Sequence, residues 1–257
     1  MSELTDRAAQ VNRYTWDSIR HQRDEGLIQK HHDVAAHLLA GKFCLSPQQR
    51  ALAGEVAGKR LLDLGCGDGC ELVEWALVGA QVVGVDNSPR QIAAAQRTAQ
   101  QLGVSCELIV ADILHLPEGL LRGEFDLVFS SWVTSWIGDL GKWFHMVYLA
   151  LKPGGIFVLS GGHPVTAFVS EMQQGASWRD SYFAEGPFFE EAGFSSEWNP
   201  ADDIQATIEW SPPLGNIVTA VAQAGLRISH LLEAGDAQAK FHLPGYPAEF
   251  HLRATKE

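Results

Sequence analysis

Leu61-Leu62-Asp63-Leu64-Gly65-Cys66-Gly67-Asp68-Gly69 is an apolar run that breaks into alternating glycines. Glycine has no Cβ, so a strand entering such a loop lets backbone N–H groups approach a ligand at the start of the next helix. Asp86 closes the following β-rich run, Gln81 to Val85, and a carboxylate ending a second strand can accept both hydroxyls of a ribose. Asp112 stands just past the third β-rich run. Together these groups predict an adenosine-type ligand. The spacing narrows the choice. A dinucleotide loop places its third glycine where Cys70 stands. Asp63 puts an anion where a pyrophosphate would be repelled but an ammonium or sulfonium would be welcome.

Such groups work only if strands deliver them to one edge of a sheet. Arg60–Leu64, Gln81–Val85, Cys106–Val110, Phe125–Ser130 and Gly155–Ser160 read as strands. Helical patterns intervene at Glu71–Val78, from Ser88-Pro89 to Leu102, and at Leu140–Leu151. This alternation predicts right-handed βαβ units and a parallel sheet covered on both faces. Upstream, Asn12–Arg20, His31–Leu39 and a helix from Ser46-Pro47 through Val56, ended by Gly58, form a polar cap. After Ser160 the alternation stops, and His163–Pro213 is rich in aromatics, glycine and acids, among them Trp178, Tyr182, Phe183, Phe189, Phe194, Trp198 and Trp210. Insertions of that length usually act as lids. A helix at Ile217–Ala224 and strands at Leu226–Leu232 and Glu249–Thr255 follow. The expected layout is one domain over 1–257, with a cap (1–58), a cofactor-binding core (59–162), a lid and substrate insertion (163–214) and a C-terminal helix and hairpin (215–257).

Composition removes other classes. At 257 residues with 46% hydrophobic and 19% charged residues, the chain can bury a substantial core and is not a disordered one. A formal charge of −12 without a basic tract argues against nucleic acid. The four cysteines suggest no disulfide scaffold. His31-His32, His37 and Cys66-x-x-x-Cys70 lack a matched second pair, so no metal is expected. The first thirty residues are polar and no apolar run reaches the ~20 residues of a membrane span. A cytoplasmic protein without a membrane partner is expected.

Asp63-Leu64-Gly65-Cys66-Gly67-Asp68-Gly69, Gly84-Val85-Asp86-Asn87-Ser88, Ala111-Asp112-Ile113, Phe125-Asp126-Leu127-Val128 and Leu151-Lys152-Pro153-Gly154-Gly155 resemble, in order and spacing, the motifs of class I S-adenosylmethionine-dependent methyltransferases. The resemblance covers about Lys59 to Ser160. It implies an α/β, Rossmann-like, doubly wound seven-stranded sheet, mostly parallel with the last strand antiparallel. It also implies roles. The Gly65, Cys66 and Gly67 backbone would lie along the methionine part of S-adenosylmethionine, with Asp63 toward its ammonium. Asp86 would hold the ribose, Asn87 and Ile113 would flank the adenine, and Asp112 would accept from its exocyclic amine. Ser130, Trp132 and Trp136, at or after strand four, would face the cofactor sulfur and the substrate. On the N-terminal helix, Tyr14 and Trp16 read either as core residues or as a pair closing over the cofactor. Trp16-Asp17, Gly162-His163-Pro164, Tyr182 to Gly186 and Phe250 to Lys256 resemble a subgroup of small-molecule methyltransferases with a segment inserted after strand five.

The expected reaction transfers a methyl group to a small, partly apolar or aromatic acceptor and leaves S-adenosylhomocysteine. An acceptor O–H or N–H would need a base, and His163, just beyond strand five, is the candidate. A catalytically silent cofactor-binding protein is the alternative from another class. An NAD-dependent reductase is disfavoured by Cys70 and Asp63. Ser211-Pro212-Pro213-Leu214 imitates an amino-methylase signature, but that signature belongs after strand four, where Ser130-Ser131-Trp132 stands instead.

Overall fold

The computed structural model describes residues 2–26, 33–173, 181–190, 207–235 and 245–257. Seven strands make one sheet: β1 (Arg60–Leu64), β2 (Gln81–Asp86), β3 (Cys106–Val110), β4 (Phe125–Ser131), β5 (Leu151–Gly162), β8 (Leu226–Ala234) and β9 (Glu249–Lys256). Their order is β3-β2-β1-β4-β5-β9-β8. β1 to β5 pair in parallel, whereas β9 runs antiparallel to both β5 and β8. This is the predicted doubly wound sheet with its last strand reversed.

The strands bury apolar side chains on both faces, which explains why they read as almost continuous apolar runs. Leu62, Leu64, Val83 and Val85 pack with Trp143 and Phe144 of α6 (Leu140–Ala150) and Ile217 and Val221 of α8 (Leu214–Gln223). Leu61, Val82, Leu127 and Phe129 pack on the other side with Leu52 of α3 (Pro47–Ala53) and Trp75 of α4 (Cys70–Leu77). Trp75 and Trp143 are essentially inaccessible; truncating either to Ala should cost about 3–5 kcal/mol.

Several boundaries differ from the sequence reading. The N-terminal helix α1 runs over Ser2–Asp24, well beyond Asn12–Arg20. α2 is Val34–Leu39, capped by Asp33, while His31-His32 lies outside the described residues. α3 stops at Ala53, where Gly54 rather than Gly58 caps it; Ser46 and Gln49 form a capping box at its start. α5 (Pro89–Leu102) opens on the Ser88 cap as expected. The segment after β5 is not irregular throughout: it holds α7 (Pro164–Gln173) and a small antiparallel pair, β6 (Phe188–Glu190) and β7 (Thr207–Glu209). Trp178, Phe194 and Trp198 lie outside the described residues.

The cysteines also need correction. Cys44 and Cys70 form a disulfide, with their Cα atoms 5.7 Å apart. The cause is packing that spacing does not reveal: Glu74 of α4 accepts from the backbone N–H of Cys44 (2.7 Å) and Leu45 (2.9 Å), which brings the start of the α3 segment onto the first turn of α4. Among the described residues no helix is long and apolar enough to cross a membrane.

Candidate active site

The strands β1, β2 and β4 end beneath one cleft of about 210 Å³. β1 passes into the glycine loop with Gly65 at φ 82° and Gly67 at φ 52°. A Cβ on Gly65 would stand 2.3 Å from Val133 Cγ1, so that position is closed to larger residues; at Gly67 there is open space. Gly65 and Cys66 N–H groups both donate to Val85 O, and Gly67 N–H donates to Asp86 Oδ2 at 3.0 Å. Asp86 Oδ1 accepts from Ser88 N–H at 2.9 Å. Burial raises the Asp86 carboxyl to about 6 against the pull of those two N–H groups. Asp63 is 1% exposed, its Oδ2 has no partner, and burial followed by the charges of Glu71 and Asp86 pushes its carboxyl well above the carboxylate range.

Helix α1 roofs the cleft. Thr5, Ala9, Asn12 and Trp16 line it, four positions at helical spacing on one face. The helix is tied down at several points. Asp17 Oδ1 accepts from Ser88 Oγ (2.5 Å) and Arg90 N–H (3.1 Å), Asn87 Nδ2 donates to Ala9 O (3.3 Å), and Arg20 pairs with Asp68 of the glycine loop at 3.3 Å. Asn12 bridges to β7 with a reciprocal pair, Nδ2 to Ile208 O (2.8 Å) and Ile208 N–H to Oδ1 (2.9 Å). The small β6–β7 sheet therefore rides on the roof.

Of the residues singled out by sequence, Trp16, Gly65, Gly67, Asp86, Asn87, Asp112, Ile113, Trp132 and Trp136 line this cleft. Asp112 holds its carboxylate in place through Leu114 N–H (2.9 Å) and His115 Nδ1 (2.9 Å). Trp16 and Trp136 meet edge to face, centroids 5.5 Å apart. Trp132 has φ 58°, a left-handed backbone rare for a bulky residue. Its N–H donates to Ser160 O, and its ring lies beside Gly162, where a Cβ would come 3.1 Å from Cζ3.

Five of the singled-out residues sit elsewhere. Asp63 lies buried at the foot of the loop. The Cys66 side chain packs against Gly84 in the α3–α4 core, so only its backbone belongs to the loop. Ser130 is fully buried, its Oγ donating to Leu64 O, because alternation along β4 turns its neighbour Ser131 toward the cleft instead. Tyr14 is 55% exposed, two positions from Trp16 and hence on another face of α1. His163 is the clearest correction. Its carbonyl accepts from Thr166 N–H and its Nδ1 from Val165 N–H (3.2 Å), so it caps α7; its Nε2–H then donates to Glu233 Oε1 at 2.8 Å. Neither ring nitrogen has a lone pair to offer an acceptor. Ser131 and the Thr5–Ala9–Asn12 stripe were missed, although the helical spacing of that stripe was visible.

The cleft fits an S-adenosylmethionine molecule. The open Gly67 backbone gives room and Asp86 keeps lone pairs for hydroxyls, while behind the cleft wall, at the foot of the loop, the buried Asp63 oxygen lacks a donor. Comparison with known proteins agrees. Residues 55–193 match the family described as methyltransferase domain. A ubiquinone biosynthesis O-methyltransferase of Bradyrhizobium sp. (strain ORS 278) is 36% identical over 105 residues, 41% of this chain and 40% of that one. A demethylmenaquinone methyltransferase of Thermus thermophilus is 35% identical over 136 residues, 51% of this chain and 61% of that one. The chain thus spans less than two thirds of the length of these curated relatives. An S-adenosylmethionine-dependent methyltransferase from Mesorhizobium loti superposes with a TM-score of 0.62 at 27% identity, covering 81% of this chain and 96% of that one. With the family matched over more than half its length, the protein belongs to the methyltransferase domain family, as a class I S-adenosylmethionine-dependent methyltransferase.

Proposed function

We propose that this chain transfers a methyl group from S-adenosylmethionine to a small, partly apolar or aromatic acceptor, with 1–257 acting as one methyltransferase domain. The observation that carries this reading is the cleft itself, in which the glycine loop, Asp86 and Asp112 converge under α1 while Trp16, Trp132 and Trp136 wall the remaining side. In this reading Gly65 and Gly67 cradle the methionine part, Asp86 accepts from the ribose, and Asn87, Asp112 and Ile113 hold the adenine. The bound cofactor supplies an already activated methyl carbon. The protein supplies orientation and dryness: the indoles exclude water and fix a flat acceptor, and the α1 roof with β6–β7 closes the site. The relatives named for ubiquinone biosynthesis and for demethylmenaquinone support a small-molecule acceptor.

The test is incubation with methyl-labelled S-adenosylmethionine and a metabolite extract, with S-adenosylhomocysteine and NADH compared by calorimetry. Label in a small molecule, with S-adenosylhomocysteine bound and NADH not, is the expected outcome. Binding without turnover on any extract would favour a silent cofactor-binding protein.

A further inference from the structure

Beside the glycine loop lies a buried polar knot that the reading above leaves unused. Gln49 Nε2 donates both to Glu71 Oε1 (3.0 Å) and to Ser131 Oγ (3.1 Å), while its Oε1 accepts from Ser46 N–H at 2.7 Å. Glu71 also bonds the Ser131 side chain. Since Ser131 Oγ receives the Gln49 proton donor, its own O–H is free to donate to Glu71. Ser131 lines the cleft, so Glu71 stands one hydroxyl behind the cleft wall. Asp63, whose Oδ2 is buried and unpartnered, is its neighbour: the Glu71 charge is the main electrostatic influence on Asp63 after burial.

The charges around this pair are themselves negative. Asp68 and Glu74 act on Glu71, and Glu71 and Asp86 act on Asp63. The nearby cations are engaged: Arg20 pairs with Asp24 and Asp68, Arg23 interacts with Asp68, and Arg50 pairs with Glu74. Burial, the largest influence, lifts the Glu71 carboxyl to about 7 despite its bonds to Ser131 and Gln49. Among the described residues neither carboxyl has an ion-pair partner, and burial favours the protonated form of both. A ligand cation reverses that balance.

We propose that Glu71 joins Asp63 as a second anionic anchor for the ammonium of the cofactor's methionine part, and that the proton held by the pair leaves when the ammonium binds. This rests on the placement of the methionine part along Gly65–Gly67. Ser131 and Gln49 are positioning residues: they aim the Glu71 carboxylate and tie it to α3.

The measurement is titration calorimetry near pH 7 in buffers of different ionisation enthalpy, which counts protons exchanged on binding. S-adenosylhomocysteine carries the ammonium, whereas 5′-methylthioadenosine keeps the adenosine, and so any proton linked to Asp86, but lacks the amino acid. S-adenosylhomocysteine should release roughly half a proton to one proton more than 5′-methylthioadenosine. Glu71→Gln should reduce that difference to the share held by Asp63 and weaken S-adenosylhomocysteine about tenfold, with 5′-methylthioadenosine affinity unchanged. Equal proton counts for the two ligands in the wild type would overturn the proposal, as would a Glu71→Gln protein that binds S-adenosylhomocysteine normally. The wild-type comparison decides alone if Glu71→Gln does not fold. If neither ligand binds, the site assignment beneath the proposal falls instead.

Discussion

The Gly67 N–H group and the Asp86 carboxylate are joined at 3.0 Å, so the acid that ends β2 also fixes the glycine loop that ends β1. The ligand-binding carboxylate and the ligand-binding backbone are therefore set as one unit. Removing the carboxylate disturbs both.

Asp86→Ala should weaken S-adenosylhomocysteine binding by about 1.5–3 kcal/mol, the range for hydrogen bonds to a charged group. The wild-type protein should show a matching pH dependence. Only the ionised carboxylate accepts from two hydroxyls, and burial raises this carboxyl to about 6. Affinity for 5′-methylthioadenosine should therefore be level above pH 7 and fall as the pH drops through 6. A flat calorimetric profile from pH 5 to 8 would remove Asp86 from the ribose.

Asp17 fastens the roof to the start of α5 through Ser88 Oγ and Arg90 N–H. Asp17→Ala deletes a helix-capping acceptor worth about 1–2 kcal/mol. The loss should fall on the closed roof rather than on the sheet. Stopped-flow measurement should show S-adenosylhomocysteine leaving roughly 5–30-fold faster, by the same energy, with little change in melting temperature. A large drop in melting temperature with unchanged release would mean that α1 is a fixed part of the fold.

His163 should matter for stability and little for the chemical step. Burial lowers its pKa from 6.5, against the opposing influence of Glu233. The unfolded chain then takes up a proton near 6.5 that the folded chain resists, so stability is lost as the pH falls below that value. His163→Ala should lower the melting temperature at pH 7.5 through loss of the α7 cap, lessen the fall in acid, and leave kcat within tenfold. A hundredfold loss of kcat together with the loss of an ionisation from the pH–rate profile would restore it as a base.

What the sequence made legible followed from local rules. The β1 to β5 strands, the Ser46 and Ser88 caps and the acids ending strands are consequences of period, capping chemistry and glycine geometry acting over a few residues. Ser130 failed for a different reason: a one-residue shift along a strand exchanges faces, and the motif alone does not say which of Ser130 and Ser131 turns to the cleft. His163 failed because its partners, Val165 and Glu233, are supplied by a helix start and a distant strand. Asn12 was invisible as a lid contact because Ile208 lies far along the chain.

The Cys44–Cys70 pair closes a loop across a sequence separation of 26. Closing such a loop contributes about 3 kcal/mol in the chain-entropy view. Thiol titration of the denatured protein without reductant should find two reactive cysteines, Cys66 and Cys106, and four after reduction. Reduction, or Cys44→Ser, should lower the melting temperature. Four thiols in unreduced protein would show that the pair stays as two thiols in solution.

Gly162→Ala tests the strained tryptophan. The glycine's backbone is one that alanine can adopt, so the only cost is steric: the new Cβ would stand 3.1 Å from Trp132 Cζ3, closer than ordinary contact. Trp132 already sits at φ 58° with its N–H bound to Ser160 O, so its backbone has little room to yield. The indole must tilt within the cleft by a few tenths of an ångström. Cofactor-side groups on β1, β2 and β3 lie on other strands and stay in place. S-adenosylhomocysteine affinity should hold within about twofold while kcat/KM for the acceptor drops by roughly 3–30-fold, as small misplacements do in reactions governed by orientation. Parallel loss of cofactor affinity would put the indole on the cofactor side, and unchanged kcat/KM would show that Trp132 does not touch the acceptor.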